Sequence, residues 1–223
     1  MKTVHLKILF VPANILKIYK RIHYSIVGRI KAADLSKEFQ EMITIDTKVF
    51  KVQDKKTKHQ TEHQAARTLL ERMLRETYGI ETWSLAKDER GKPYLVSHPD
   101  IYISISHSHG LAACAVGDRP LGVDIERIRS FKENIWHKVL STKEQETFAS
   151  AKVSAKERQE LFYRFWTLKE SYVKAEGCGF RIPPQDITFL LNWDGDILSG
   201  PEGYQFQVEK VRDNYMIASC QKL

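Results

Sequence analysis

The period of the apolar positions changes along the chain, and those changes mark its elements. Residues 4–11 (Val4-His5-Leu6-Lys7-Ile8-Leu9-Phe10-Val11) alternate over part of their length and predict a first strand that stops at Pro12. Over 15–31, Lys17, Lys20, Arg21, Arg29 and Lys31 stand among apolar residues, the pattern of an amphipathic helix with a solvated face or of a basic binding surface. The lysine-rich run 48–58 is too polar for a core and predicts a loop leading into a helix. From Thr61 to Tyr78, Ala65, Leu69, Leu70, Met73 and Leu74 keep a helical period, with Gly79 where a C-terminal cap belongs. This is the main helix expected of the first half.

The period then shortens. Gly91-Lys92-Pro93-Tyr94-Leu95, after the charged Lys87-Asp88-Glu89-Arg90, predicts a turn entering a short strand. Ile101 to Ser106 is a strand by β-propensity, His107 to Gly110 a tight connection, Leu111 to Val116 a second strand, and Arg119-Pro120 turns the chain into a third at Gly122 to Glu126. Connections this short predict one antiparallel sheet, because parallel strands need longer crossovers. Ser141-Thr142-Lys143-Glu144 is a capping box that starts a helix at Thr142, broken by the polar stretch 151–156 before a longer helix that ends near Gly177-Cys178-Gly179. Pro183-Pro184 marks a loop, Ile187 to Leu191 a strand, Trp193-Asp194-Gly195-Asp196 a hairpin turn, and Tyr204 to Val211 with Tyr215 to Cys220 a closing pair. The expected fold is α+β in two pseudo-symmetric halves, 1–118 and 119–223, each a small antiparallel sheet with a long helix and the active site between them.

Candidate chemistry concentrates in two stretches. In Gly122-Val123-Asp124-Ile125-Glu126 the alternation sends Asp124 and Glu126 out of one face, with Cα atoms roughly 7 Å apart. In the later helix Leu161, Phe165, Leu168 and Tyr172 form a core stripe at i, i+4, i+7 and i+11, so Trp166, Glu170 and Lys174 share another face. Where that helix crosses the strand, three carboxylates and an ammonium converge, an oxygen-rich setting suited to Mg²⁺ and a phosphate. Taken singly, the pieces are ordinary: an Asp-x-Glu strand is commonly a solvated edge, and Glu170 with Lys174 an i,i+4 helix pair. Of their neighbours, Trp166 is expected to pack, Lys169 to face solvent or cofactor, and His109 to be structural or exposed.

Composition narrows the setting. The 223 residues suffice for one large domain or two fused halves of about 100 residues each. A formal charge of +7 implies an anionic partner without choosing among nucleic acid, acidic protein, phosphorylated cofactor and membrane surface. Cys114, Cys178 and Cys220 are odd in number and lack CxxC spacing, which argues against a disulfide framework or zinc knuckle and for a reducing cytoplasm. Lys7 and Pro12 interrupt the early apolar run, so neither a signal peptide nor a membrane span is expected.

Ile103-Ser104-Ile105-Ser106-His107-Ser108, Gly122 to Glu126, and Phe162-Tyr163-Arg164-Phe165-Trp166-Thr167-Leu168-Lys169-Glu170-Ser171-Tyr172-Val173-Lys174-Ala175 resemble successive signature motifs of the 4′-phosphopantetheinyl transferase superfamily. Order, spacing and flanking residues are similar to the monomeric surfactin-synthetase-activator (Sfp) type, and Gly91-Lys92-Pro93 supplies a fourth, earlier motif. The resemblance runs from about residue 91 to 190 and no single motif carries it. It implies transfer of the 4′-phosphopantetheine arm of coenzyme A onto a serine of an acyl or peptidyl carrier protein, releasing adenosine 3′,5′-bisphosphate. It further implies that residues 1–118 supply nucleotide contacts and 119–223 the metal-binding carboxylates and catalytic helix. By the resemblance, Asp124, Glu126 and Glu170 hold Mg²⁺, or Mn²⁺, against the pyrophosphate. Glu170 is the expected general base on the serine, directly or through water, and Lys174 contacts the phosphates and steadies the leaving group. Ser106 and His107 are expected at the phosphates of the nucleotide, and Lys92 with Pro93 near the adenosine end. The expected partners are coenzyme A and an acidic apo carrier protein, with no nucleic acid or membrane, and the protein is expected to be a cytoplasmic monomer.

The chain departs from the pattern upstream of Gly91. Glu62 and Ala66 occupy places where relatives often carry an arginine and a glycine, with Arg67 following, and Cys178 stands where a cation often lies between two glycines. The cation for the cofactor's 3′-phosphate is therefore unassigned. A Mg²⁺-dependent nuclease and a non-catalytic basic module docking on acidic carriers are the rival readings; the first requires steeply salt-dependent DNA binding, the second no need of Glu170.

Overall fold

A computed structural model describes residues 44–50, 58–151, 153–192, 194–212 and 214–223. The expected strand over 4–11, the basic helix over 15–31 and positions 51–57 of the lysine-rich run lie outside the described residues. Lys48 does not belong to a loop: it pairs with Ala112 within strand β1 (Thr44–Val49). The remaining strands are β2 (Leu85–Lys87), β3 (Pro93–Leu95), β4 (Tyr102–Ser108), β5 (Leu111–Gly117), β6 (Leu121–Arg127), β7 (Leu190–Leu191), β8 (Ile197–Ser199), β9 (Tyr204–Val211) and β10 (Tyr215–Lys222). The helices are α1 (Lys58–Tyr78), α2 (Trp136–Val139), α3 (Thr142–Ser150) and α4 (Ala155–Glu176).

Two antiparallel sheets, in strand order β1-β5-β4 and β6-β10-β9, each pack beside a long helix, α1 for the first and α4 for the second. Strand β5 explains how they stack. Ala112, Cys114 and Val116 enter the core under α1 with Leu69, Leu70 and Leu74, while Leu111, Ala113 and Ala115 face the opposite way and meet Leu121, Val123 and Ile125 of β6. A strand covered on both faces is apolar throughout, and the small alanines let the sheets approach. The third core lies beneath α4 and includes Phe148, Phe165, Leu168 and Phe189.

The helix ends follow their sequence signals. Ser141 and Glu144 form the expected capping box, and Ser154 with Glu157 forms a second at the start of α4, inside the stretch expected only to break a helix. Gly177, at φ +65°, ends α4 in the left-handed conformation that glycine adopts without steric cost.

Three expectations change. Strand β6 does not extend the β4–β5 sheet; it pairs with β10, from the far end of the chain. A strand's period does not reveal its partner, and here serine side chains rather than backbone join β4 to β6. His107 and Ser108 lie within β4, paired with Ala112 and Leu111, and the turn tightens to His109 and Gly110. The strand expected over 187–191 shrinks to Leu190–Leu191, because the Phe189 N–H is taken by the Glu144 carboxylate at 2.8 Å. Among the described residues no helix is long and apolar enough to cross a membrane.

Candidate active site

The site begins with a glycine. A Cβ built on Gly122 would lie 1.9 Å from the Ser171 carbonyl oxygen and 2.7 Å from the Ala175 nitrogen, so only glycine lets the backbone of α4 rest on β6. That close approach sets the direction of the side chains along both elements. Val123 and Ile125 point into the layer between the sheets, and Asp124 and Glu126 leave on the other face, where α4 presents Trp166, Glu170 and Lys174.

Asp124 is 4% exposed, and its two oxygens differ. Oδ1 accepts from the Ser106 hydroxyl at 2.8 Å and from Lys174 Nζ at 2.7 Å. Oδ2 is buried with no hydrogen-bond partner. Lys174 Nζ also donates to the Val123 carbonyl at 3.1 Å, which ties the helix to the strand backbone. Glu126 Oε2 accepts from the Ser108 hydroxyl at 2.7 Å, and the Trp166 indole N–H gives Glu126 a further bond, so Trp166 both packs and orients.

Three carboxylates thus face one ammonium, and two of them, Glu126 and Glu170, hold their protons more tightly than usual. Burial and then the neighbouring Asp124 charge push the Glu126 carboxyl above its ordinary range, against the bonds from Ser108 and Trp166 and the Lys174 charge. Glu170 goes further, to about 7, through burial first and the Asp124 and Glu126 charges next, opposed by Lys174. An acid shifted by burial and like charge near neutrality can take or give a proton under ordinary conditions. Among the described residues no three Asp, Glu, His or Cys side chains close into a ready-made metal-holding group. The donor chemistry nonetheless suits a hard cation: all-oxygen ligands, an excess of negative charge, and a buried carboxylate oxygen left without a partner.

Beside the carboxylates lies a cavity of about 230 Å³ that brings Glu170 and Lys174 together with Lys92, Pro93, Arg90 and Ile105. Lys92 Nζ donates to the Ala175 carbonyl at 2.6 Å, and its stem crosses Gly177, where an added Cβ would meet Lys92 Cδ at 2.8 Å. Burial pulls the Lys92 ammonium below its ordinary value. A larger cavity of about 420 Å³ shares Lys92 and Pro93 but is lined by none of the three carboxylates. Of these two cavities, the smaller is the one lined by a member of the carboxylate cluster, Glu170, and by Lys174.

His107 lies apart from this cluster. Strand alternation puts it on the α1 face of β4, with Nδ1 3.5 Å from Glu62 Oε2 and its ring edge-on to His63 at 5.8 Å between centroids. Burial lowers its pKa first, against the pull of Glu62. Glu62 itself is buried. Lys169 faces neither solvent nor cofactor. It is 1% exposed and donates to the carbonyls of Val139, Pro184 and Ile187 at 2.9, 2.8 and 2.7 Å while paired with Glu144. Sequence reasoning gave no role to Ser108, none to Gly122 beyond its motif and only packing to Trp166; the Ser104-x-Ser106-x-Ser108 period of two was the signal for the first.

Residues 120–220 match the family model described as the 4′-phosphopantetheinyl transferase superfamily. A Bacillus subtilis 4′-phosphopantetheinyl transferase is 30% identical over 168 residues, covering 70% of this chain and 74% of that one. The chain belongs to the 4′-phosphopantetheinyl transferase superfamily. Sfp of Bacillus subtilis strain 168 is 29% identical over 59% of this chain and 60% of its own, and a transferase from Aneurinibacillus migulanus 36% identical over 53% and 52%. A solved holo-[acyl-carrier-protein] synthase from Thermotoga maritima covers 47% of this chain and 64% of its own at 20% identity, a partial likeness with a TM-score of 0.38. The matched segment of the transferase family model holds Asp124, Glu126, Glu170 and Lys174 together.

Proposed function

We propose that this site transfers the 4′-phosphopantetheine arm of coenzyme A to a serine hydroxyl of an acyl or peptidyl carrier protein, with adenosine 3′,5′-bisphosphate as leaving group. The observation that carries the reading is Asp124, whose Oδ2 is buried and unpartnered beside two further carboxylates and a single lysine. Asp124, Glu126 and Glu170 would hold Mg²⁺, or Mn²⁺, which supplies neutralisation of the cofactor pyrophosphate. Glu170, at the edge of the carboxylate cluster, accepts the proton of the attacking serine, directly or through one water. Lys174, on the same face one turn further, donates to the phosphate oxygens and steadies charge on the departing bisphosphate. Lys92 and Pro93 border the cavity at the adenosine end, and Ser106 and His107 of β4 serve the nucleotide phosphates. The boundary between a nucleotide-contacting half, 1–118, and a catalytic half, 119–223, falls in the turn before β6. One chain holding both halves acts as a monomer in the cytoplasm, and its +7 charge suits an acidic carrier protein.

The test is intact-mass spectrometry of an apo carrier protein incubated with the purified enzyme, coenzyme A and Mg²⁺, with EDTA as control. A metal-dependent gain of one phosphopantetheine group is the expected result. No gain with any of several unrelated carriers, together with no heat of coenzyme A binding in titration calorimetry, would overturn the reading.

A further inference from the structure

Strands β4 and β6 run side by side without a backbone ladder, and three serines close the gap. Ser104, Ser106 and Ser108 lie on the face of β4 turned to β6 and accept the N–H groups of Val123, Ile125 and Arg127 at 3.0, 3.3 and 3.2 Å. Each hydroxyl keeps one proton to give, and its destination follows the β6 sequence. Ser106 and Ser108 donate to the carboxylates one residue before the amide they hold, Asp124 at 2.8 Å and Glu126 at 2.7 Å. Ser104 faces the corresponding position at Gly122, which has no side chain to receive a proton. The same strand-to-strand contact is therefore made three times, twice with a carboxylate attached and once without.

Ser108 is held more completely than the others. His109 Nδ1 lies 3.0 Å from its oxygen, and in the Nδ1–H tautomer it fills the second lone pair, Arg127 N–H filling the first. The hydroxyl proton then has a single recipient, Glu126. His109 is fixed in turn, since its backbone is at φ +46° and its carbonyl accepts from the Tyr215 hydroxyl on β10 at 2.7 Å.

We propose that Ser108 is a positioning residue for Glu126: anchored to the Arg127 amide, its hydroxyl aims the carboxylate at the cation. The proposal rests on the reading that the carboxylate cluster binds a divalent metal. A carboxylate whose second oxygen is fixed by a neighbour presents the first in one orientation, and removing such a neighbour from a metal site weakens binding by about 10- to 100-fold. Ser108 is itself buried, and its hydroxyl proton goes to Glu126, so its effect on the site is exerted through that carboxylate.

The experiment compares Ser108→Ala with Ser104→Ala, which removes the same amide bond without touching a carboxylate. Mn²⁺ binding to the full chain is read by electron paramagnetic resonance, alongside the Mg²⁺ dependence of carrier modification. Ser108→Ala should bind Mn²⁺ about tenfold more weakly, with activity recovered by raising Mg²⁺. Ser104→Ala should keep the affinity of the unsubstituted chain within about twofold, because it leaves the groups that orient the metal's ligands intact. Equal affinities in the two variants would make Ser108 a structural tie only and overturn the proposal. Should Ser108→Ala fail to fold, Ser108→Cys, similar in volume but a poor donor, is measured in its place with the same expectation. An unsubstituted chain that binds no Mn²⁺ would bring down the metal reading itself, and this proposal with it.

Discussion

Lys169 and Lys174 leave the same helix for carboxylates on opposite sides of it, and the two pairs have been built to different ends. Around Lys169 every group is matched: three backbone carbonyls and Glu144 surround the ammonium, while Glu144 also accepts the Ser141 and Phe189 amides. Around Lys174 the balance is incomplete, with Asp124, Glu126 and Glu170 set against one ammonium and an Asp124 oxygen buried alone. Burying a charge is costly unless neighbours replace its water, so a saturated pair holds structure together and an unsaturated cluster tolerates its cost for a ligand. The charge of a pair therefore says less about its use than the count of bonds left unmade.

The strongest effect that divides the two is on turnover. Glu170→Gln keeps the shape and removes the base and a metal ligand; carrier modification should fall by about 10³-fold or more, equivalent to about 4 kcal/mol of barrier. Its melting temperature should not fall, since a like charge has been relieved. A fully active Glu170→Gln enzyme would sink the proposed chemistry.

Lys169→Met reverses the pattern, acting on stability first. It strands Glu144 in the core and should destabilise by about 3–5 kcal/mol in urea unfolding. Replacing both partners, Glu144→Leu with Lys169→Met, should recover much of the loss in the core, although Ser141 and Phe189 then lose their acceptor. A single variant as stable as the parent would show that the pair does not lock the core.

The next effect is a pH dependence carried by Glu170. Glu170 titrates near 4.5 in an unfolded chain and about 7 in the folded one, so the native state binds the extra proton. Its contribution to stability is fully present below about pH 4.5 and is lost as pH rises through 7. Discounted for partial solvent access, the loss is about 2 kcal/mol. Metal-free parent protein should therefore lose stability from pH 5 to 8 in unfolding titrations, and Glu170→Gln should lose less. Parallel curves for the two would remove the charge crowding that sets the Lys174 cluster apart.

The open cluster was more legible in the sequence than the closed pair. Strand and helix periods put Asp124 with Glu126 and Glu170 with Lys174 on shared faces, while nothing in the local period singled out Gly122 as the point where strand and helix touch. Lys169 has the composition of a surface residue, and nothing in the local period reveals carbonyls brought to it from Val139, Pro184 and Ile187. The same limit hid the pairing of β6 with β10 and the inward turn of Ser104, Ser106 and Ser108, both of which depend on partners distant in sequence. Local elements follow from period and capping; contacts between elements follow from packing, which a single stretch does not encode.

The weakest of these effects is also the most selective. A cation that binds only the folded protein stabilises it by mass action, about 1.4 kcal/mol at ten times its dissociation constant. Mg²⁺ should therefore raise the melting temperature of the parent and, by the same increment, that of Lys169→Met, whose carboxylate cluster is untouched. Asp124→Asn removes charge from the oxygen that lacks a partner and should show no increment. Because Lys169→Met begins from lower stability, an equal shift there cannot arise from general rigidity and must come from the cluster around Lys174. If Mg²⁺ instead stabilised Asp124→Asn as much as the parent, the unpartnered oxygen would have another explanation, and the contrast between the two lysines would reduce to burial alone.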